Sequence, residues 1–251
     1  MKKYSAVSLV AALAMGVVVP LLAAGQQEFR PPAGPTPRTP SGKVDFSGVW
    51  QKPYVPDMTK TGKDQQGVAE LPFTPWGEAE WKKYDAAEGD YTGACLPFGM
   101  TRSVNTPEPM QIMQSDRYFA FLFEQNSWFA VVPIDGRPHR TGIPTWFGDS
   151  VGHWEGDTLV LDTSNFNGKT RLDTIGHPHS TELHLIQRFS RPDLGHISYE
   201  ITVDDPKTFT RPWKNTRTFT LRPDWEMMEY SCEENNKSLW EGRIKVPKYP
   251  K

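Results

Sequence analysis

The stretch ELHLIQRFSRPDLGHISYEITVD, residues 182–204, decides the fold. Its second half alternates without a break, with Ile197, Tyr199, Ile201 and Val203 on one side of an extended chain and Ser198, Glu200 and Thr202 on the other. The first half repeats the pattern: Leu183, Leu185 and Phe189 share a face, opposite Glu182, His184 and Arg188. A Pro-Asp-Leu-Gly stretch joins the halves, as in a hairpin. Two readings of the polar face stay open. It is the wet outside of an antiparallel sheet, the commoner arrangement, or it lines a barrel lumen that holds a ligand.

Working outward, the period-2 pattern recurs. MQIMQS (110–115), RYFAFLFEQ (117–125) and SWFAVVPI (127–134) are separated by tight turns. VGHW (151–154) and DTLVLDT (157–163) flank Glu155-Gly156, a hairpin signal. TRTFTL (216–221) and EMMEYSC (226–232) complete the predicted strands. One helix is predicted over 75–88, with Thr74 as N-cap, Pro75 in the first turn and Gly89 beyond its end. Consecutive hairpins with one short helix predict an all-β fold, an antiparallel meander closed as a lipocalin-like barrel or packed as a sandwich.

The N-terminus has the layout of a secretory signal peptide over 1–25: Lys2 and Lys3, an apolar run, then Ala23-Ala24-Gly25. Residues 26–44 hold five prolines and little apolar content, which predicts a disordered lead, and 45–251 read as a single domain. Export predicts a periplasmic or secreted protein without stable membrane insertion after cleavage. It also predicts that Cys95 and Cys232, an even pair in an oxidising compartment, form a disulfide. Removing Lys2 and Lys3 takes the formal charge from −2 to −4, with no basic patch, so nucleic acid is a poor partner.

The chemistry-bearing residues cluster in a few places. Asp173, His177, His179, Glu182 and His184 lie within twelve residues of one another. Imidazole titrates close to neutral pH, so His177 or His179 is the candidate general acid or base, oriented by Asp173 or Glu182, with Arg188 or Arg137 fixing an anion. Pro178 argues against a regular strand through GHPHS, and Glu182 follows too soon for a strand-borne metal motif. No metal is favoured; if one binds, its ligands are His177, His179 and His184, and no other cofactor is implied. PIDGRPHRTG (133–142) crowds Asp135, Arg137 and His139 into a turn, and these join Trp146, Trp154 and His184 as candidate ligand contacts. Asp162 follows on the strand after His153 and Trp154, and Glu233 and Glu234 sit beside Cys232. The chain has no Gly-rich phosphate loop, no G-x-S-x-G elbow and no H-E-x-x-H helix.

DFSGVW at 45–50 resembles the Gly-x-Trp opening of lipocalin-like barrels, carried by Gly48 and Trp50. FTPWGEA, CLPFGMTR, PIDGRPH, SVGHWEGDTLVLDT, QRFSRPDLGH, DDPKTFTRPW and EYSCEENN together resemble a family of exported, β-rich proteins of environmental bacteria. That resemblance implies export and fold but no particular activity. The residues themselves point to an exported small-molecule enzyme of lyase, isomerase or hydrolase type, acting on an aromatic or carbohydrate-derived substrate. The competing reading is a non-catalytic binder of a small apolar or aromatic ligand, using Trp146, Phe147 and Trp154.

Overall fold

The computed structural model describes residues 29–85, 90–234 and 236–244, so the signal peptide expected over 1–25 lies outside the described residues. The unit Pro31–Lys251 carries the fold. Its strands are β1 (Gly48–Gln51), β2 (Gln65–Gln66), β3 (Met110–Gln114), β4 (Tyr118–Phe123), β5 (Phe129–Pro133), β6 (Asp149–Glu155), β7 (Thr158–Ser164), β8 (His184–Ser190), β9 (His196–Asp204) and β10 (Trp213–Leu221). The helices are α1 (Pro75–Lys82), α2 (Met100–Asn105) and α3 (Lys237–Trp240).

All ten strands belong to one antiparallel sheet in the order β5-β4-β3-β1-β10-β9-β8-β7-β6, with β2 also on β10. Because β1 bonds to both β3 and β10, the meander returns on itself as a nearly closed barrel. The open seam falls between β5 and β6. There Gly136 N donates to Gly152 O at 3.1 Å, and a Cβ on Gly152 would stand 2.8 Å from both Ile134 and Leu161. Any side chain at 152 would force the Ile134 and Leu161 side chains to give way.

The apolar face of each strand turns inward. Phe119, Phe121, Leu185, Phe189, Ile197, Tyr199, Val203 and Phe219 are fully buried. Their rings meet in series, Phe119 on Phe189 at 5.3 Å, Phe189 on Tyr199 at 5.0 Å and Tyr199 on Phe219 at 5.0 Å. Burying each such side chain is worth about 1.5–3 kcal/mol. The polar faces of β8 to β10 turn outward, where Arg188 pairs with Glu155 and Lys214 with Glu200. The solvated reading of those faces is therefore the one the molecule adopts. Polar side chains also point inward, among them Thr163, Gln187, Asn215 and Arg217.

Both barrel ends are covered. The proline-rich lead was expected to be disordered to residue 44, yet from Pro31 it lies against one end. Thr36 Oγ1 donates to Arg191 O, Arg38 grips Asp157 at 2.6 and 2.9 Å, and Val44 is buried in the core. At the other end every residue of α2 is buried, with Arg102 held by Asp90 at 2.6 and 3.0 Å. A helix buried on all sides has no polar stripe, so its sequence shows no amphipathic period.

Two expectations about elements need correction. The predicted helix over 75–88 starts as expected, with Thr74 Oγ1 accepting from Gly77 N, but ends at Lys82; residues 86–89 lie outside the described ones. The predicted strand at 226–232 does not form. β10 already bonds to β9 on one edge and to β1 and β2 on the other, so no edge is left for it. The segment is pinned instead by Met228 N on Glu124 Oε2, by Ser127 Oγ on Tyr230 O, and by Cys232.

The expected Cys95–Cys232 disulfide is present, bridging a sequence separation of 137. No described helix is long and apolar enough to cross a membrane. On chain-entropy grounds a loop of this length stabilises by roughly 4–5 kcal/mol. Reduction, or the Cys95→Ser/Cys232→Ser pair, is expected to lower the urea midpoint markedly at neutral pH; an unchanged midpoint would show that the bridge constrains little.

Candidate active site

The segment 170–183 crosses the end of the barrel that α2 plugs, and interior groups fix its position. Asn105 Nδ2 on α2 donates to Leu172 O, while Asn215 Nδ2 on β10 donates to Met58 O. Met58 N in turn donates to Asp173 Oδ2 at 2.9 Å. Asp173, fully buried, is thus placed by two elements far from it in sequence.

From Asp173 the chain makes a tight turn. Gly176 N bonds to Asp173 O, His177 N to Asp173 Oδ1 at 3.1 Å, and Leu172 N to His177 O. Gly176 has φ +90°, and a Cβ there would stand 1.8 Å from Cδ1 of Tyr84. Only glycine fits both the backbone and the neighbour. The turn brings His177 Nδ1 to 2.6 Å from Asp173 Oδ2. The carboxylate thereby holds the proton on Nδ1 and leaves Nε2 as the basic nitrogen. Nε2 has no hydrogen-bond partner among the described residues. Trp81 from α1 covers the ring at 4.9 Å, and Phe73 lies at 6.1 Å, stacked on Trp81 and Phe209. A second carboxylate completes the cluster: ligand atoms of Asp57, Asp173 and His177 lie within 4.8 Å of one another. Asp57 Oδ1 accepts from the backbone and hydroxyl of Thr59.

His179, the other half of GHPHS, is engaged on both nitrogens. Nδ1 lies 2.9 Å from Ser180 O, to which it donates, so Nε2 accepts from Thr170 Oγ1 at 2.6 Å. Burial holds its pKa below the ordinary imidazole value, and the ring stays neutral. Ser180 bonds through N and Oγ to buried Asp205, which also holds Thr208. These contacts fold the loop and leave nothing of His179 free for proton transfer.

The remaining sequence candidates lie elsewhere. Glu182 is exposed at the entry to β8, and Arg188 is engaged with Glu155 near the other end of that strand, so neither joins His177. Asp135 and Arg137 pair with each other at 2.5 and 2.8 Å. Trp146 stacks near Tyr91 at 6.4 Å, whereas Trp154 stacks on Phe46 at 6.1 Å with Lys43 above it. Phe147 packs against Phe123 and Trp128. The three aromatics proposed to share one cavity therefore occupy three places. His139 and His184 do meet, on Asp162: their Nε2 atoms lie 2.9 and 2.8 Å from Asp162 Oδ1. Burial works against a charged His139, but its bonds to Asp162 and Asp149 outweigh that and raise its pKa. Sequence reasoning missed Asp57, Phe73 and Trp81 as site residues. Each reaches His177 only through the fold.

No protein-family model matches the chain, and no curated protein is similar to it.

Two predictions follow from the loop. Gly176→Ala forces a side chain into left-handed backbone and into Tyr84, at roughly 2–4 kcal/mol; a urea midpoint equal to wild type would contradict this packing. For His179 the sign is fixed by its lowered pKa. Below about pH 6.5 the unfolded chain takes up a proton that the folded chain refuses, so acid destabilises the fold. His179→Gln removes that term. The stability gap between wild type and variant should narrow from pH 7.5 to 5.5, and a constant gap would count against a neutral buried His179.

Proposed function

We propose that the protein is an exported enzyme that moves protons on a small molecule bearing an aromatic or sugar ring, with His177 as its general base and acid. The observation that carries this reading is the Asp173–His177 pair: Nδ1 committed to a buried carboxylate, Nε2 uncommitted, the ring beneath Trp81. An imidazole so oriented accepts a proton at Nε2 in one step and returns it in the next, the requirement of lyase, isomerase and hydrolase chemistry alike. Asp173 stabilises the imidazolium in between. Asp57 offers a second oxygen to hold a substrate hydroxyl, and the flat faces of Trp81 and Phe73 suit a ring. His177 is 2% exposed and Trp81 36%, so the substrate gains access in this reading as Trp81 moves off the imidazole.

A binding role without catalysis draws on a different observation, a cleft of about 290 Å³ lined by Lys43, Gln114, Asp116, Ile134 and Trp154 at the barrel end opposite α2. The two readings separate in one experiment. The purified mature chain is assayed on 4-nitrophenyl acetate, an aromatic lactone and 4-nitrophenyl glycosides. Acid–base catalysis predicts turnover of at least one, with kcat lowered about 10²–10⁴-fold in His177→Gln and little change in KM. Asp173→Asn is expected to lose a comparable factor. Compounds recovered unaltered, or a His177→Gln variant as fast as wild type, would overturn it.

A further inference from the structure

A cleft of about 430 Å³ opens where the β4–β5 turn, the segment around Cys95 and the chain after Tyr230 meet, and no residue of the His177 site lines it. That volume lies within the range of small-molecule sites. Three ties fix its walls. The Cys95–Cys232 disulfide joins the second wall to the third, and Asn236 Nδ2 donates to Gly93 O at 3.1 Å across the same gap. Ser127 Oγ donates to Tyr230 O at 3.1 Å, which joins the turn to the third wall. Walls held in this way need little further ordering when a ligand arrives.

The β4–β5 turn costs stability in two ways. Asn126 and Ser127 stand in succession at φ +61° and +51°, left-handed backbone that side chains other than glycine seldom adopt. Gln125 Oε1 and Asn126 Oδ1 are shut off from water and meet no hydrogen-bond partner among the described residues. A buried acceptor without a partner loses its hydration for nothing in return. Both amides belong to the wall of the cleft. Strained backbone and two unmatched amides in one wall are accounted for when a ligand supplies the missing partners.

We propose that this cleft binds a short neutral saccharide, at a site separate from His177.

The lining selects the ligand. Sugar hydroxyls both donate and accept, and so do the amides of Gln125 and Asn126 and the hydroxyl of Ser231. The last torsion of an amide side chain is soft, so a small rotation presents Oε1 or Oδ1 to a hydroxyl entering the cleft. Tyr230, 37% exposed, offers a flat face to the C–H side of a pyranose ring. Among the described lining residues Glu234 alone is charged. Its carboxylate accepts from hydroxyls and repels phosphate and carboxylate ligands.

The test titrates cellobiose, maltose and diacetylchitobiose calorimetrically into the mature protein. At least one is expected to bind, at one equivalent. Asn126→Gly removes an amide while keeping the left-handed turn, and should weaken that binding about 5–10-fold. Tyr230→Ala should weaken it about 3–10-fold. His177→Gln should bind as wild type does. Because glycine adopts φ +61° without strain, the urea midpoint of Asn126→Gly should not fall. A lowered midpoint would mean that the amide serves the fold, and would overturn the assignment. Circular dichroism checks the fold of Tyr230→Ala; folded Asn126→Gly and Tyr230→Ala variants that bind as wild type does also overturn it. So does a wild-type protein that binds none of the three sugars, or binding lost in His177→Gln alone, which would put the sugar in the acid–base site instead.

Discussion

The four residues Gly48–Gln51 of β1 join the two halves of the sheet, and the rest of the molecule depends on that join. They bond to β3 on one side and β10 on the other. Without them the meander would be an open sheet with its aromatic face in water. Trp50 secures the position. It is fully buried, its Nε1 donates to Phe46 O, and the Arg191 guanidinium lies 4.8 Å over its ring. Arg191 also donates to Asp45 O and Leu194 O, tying the chain ahead of β1 to the connection between β8 and β9. The proline-rich lead docks onto this end because Arg191 and Gln114 offer its backbone and hydroxyls fixed partners.

In a barrel interior packed with large aromatic side chains, the proposed acid–base site falls at one end. The inward polar residues mark where that happens. Arg217 is buried with its pKa lowered to about 10 by desolvation, and burial likewise lowers Lys52 to about 7. Groups of this kind cost stability unless their bonds are met. Arg217 Nε donates to Asn215 Oδ1, which fixes the amide so that its Nδ2 holds Met58 O. Lys52 donates to Glu108 O just ahead of β3. The interior polarity thus positions the loops that carry Asp57 and Asp173.

Strands were legible where one face is buried and the other wet, as in β9, whose limits match its alternation. Reading failed where hydrogen-bonding capacity rather than side-chain pattern decides. Residues 226–232 alternate well enough for a strand, but the strand before them, β10, is already paired on both edges. α2 shows no helical stripe because both its faces are covered. For the site, proximity in sequence was a partial guide. Asp173 and His177 do pair, within one turn. Glu182 and Arg188, equally near on paper, are carried off along β8 and its outer face. Asp57 and Trp81 come from segments before β3, and only the packed end of the barrel brings them in.

The two histidines of GHPHS show how little residue type alone decides. On a regular strand, positions two apart share a face. Pro178 removes a backbone donor and breaks that regularity. The rings diverge into different surroundings, each enclosed in protein. His177 meets a carboxylate, which holds Nδ1 and leaves the other nitrogen uncommitted. His179 meets a carbonyl and a hydroxyl, which satisfy a neutral ring completely. Burial is nearly equal for the two, so the partner at Nδ1 makes the difference. A carboxylate there prepares an imidazole to take up a proton at Nε2; a carbonyl paired with a hydroxyl makes it a structural bracket.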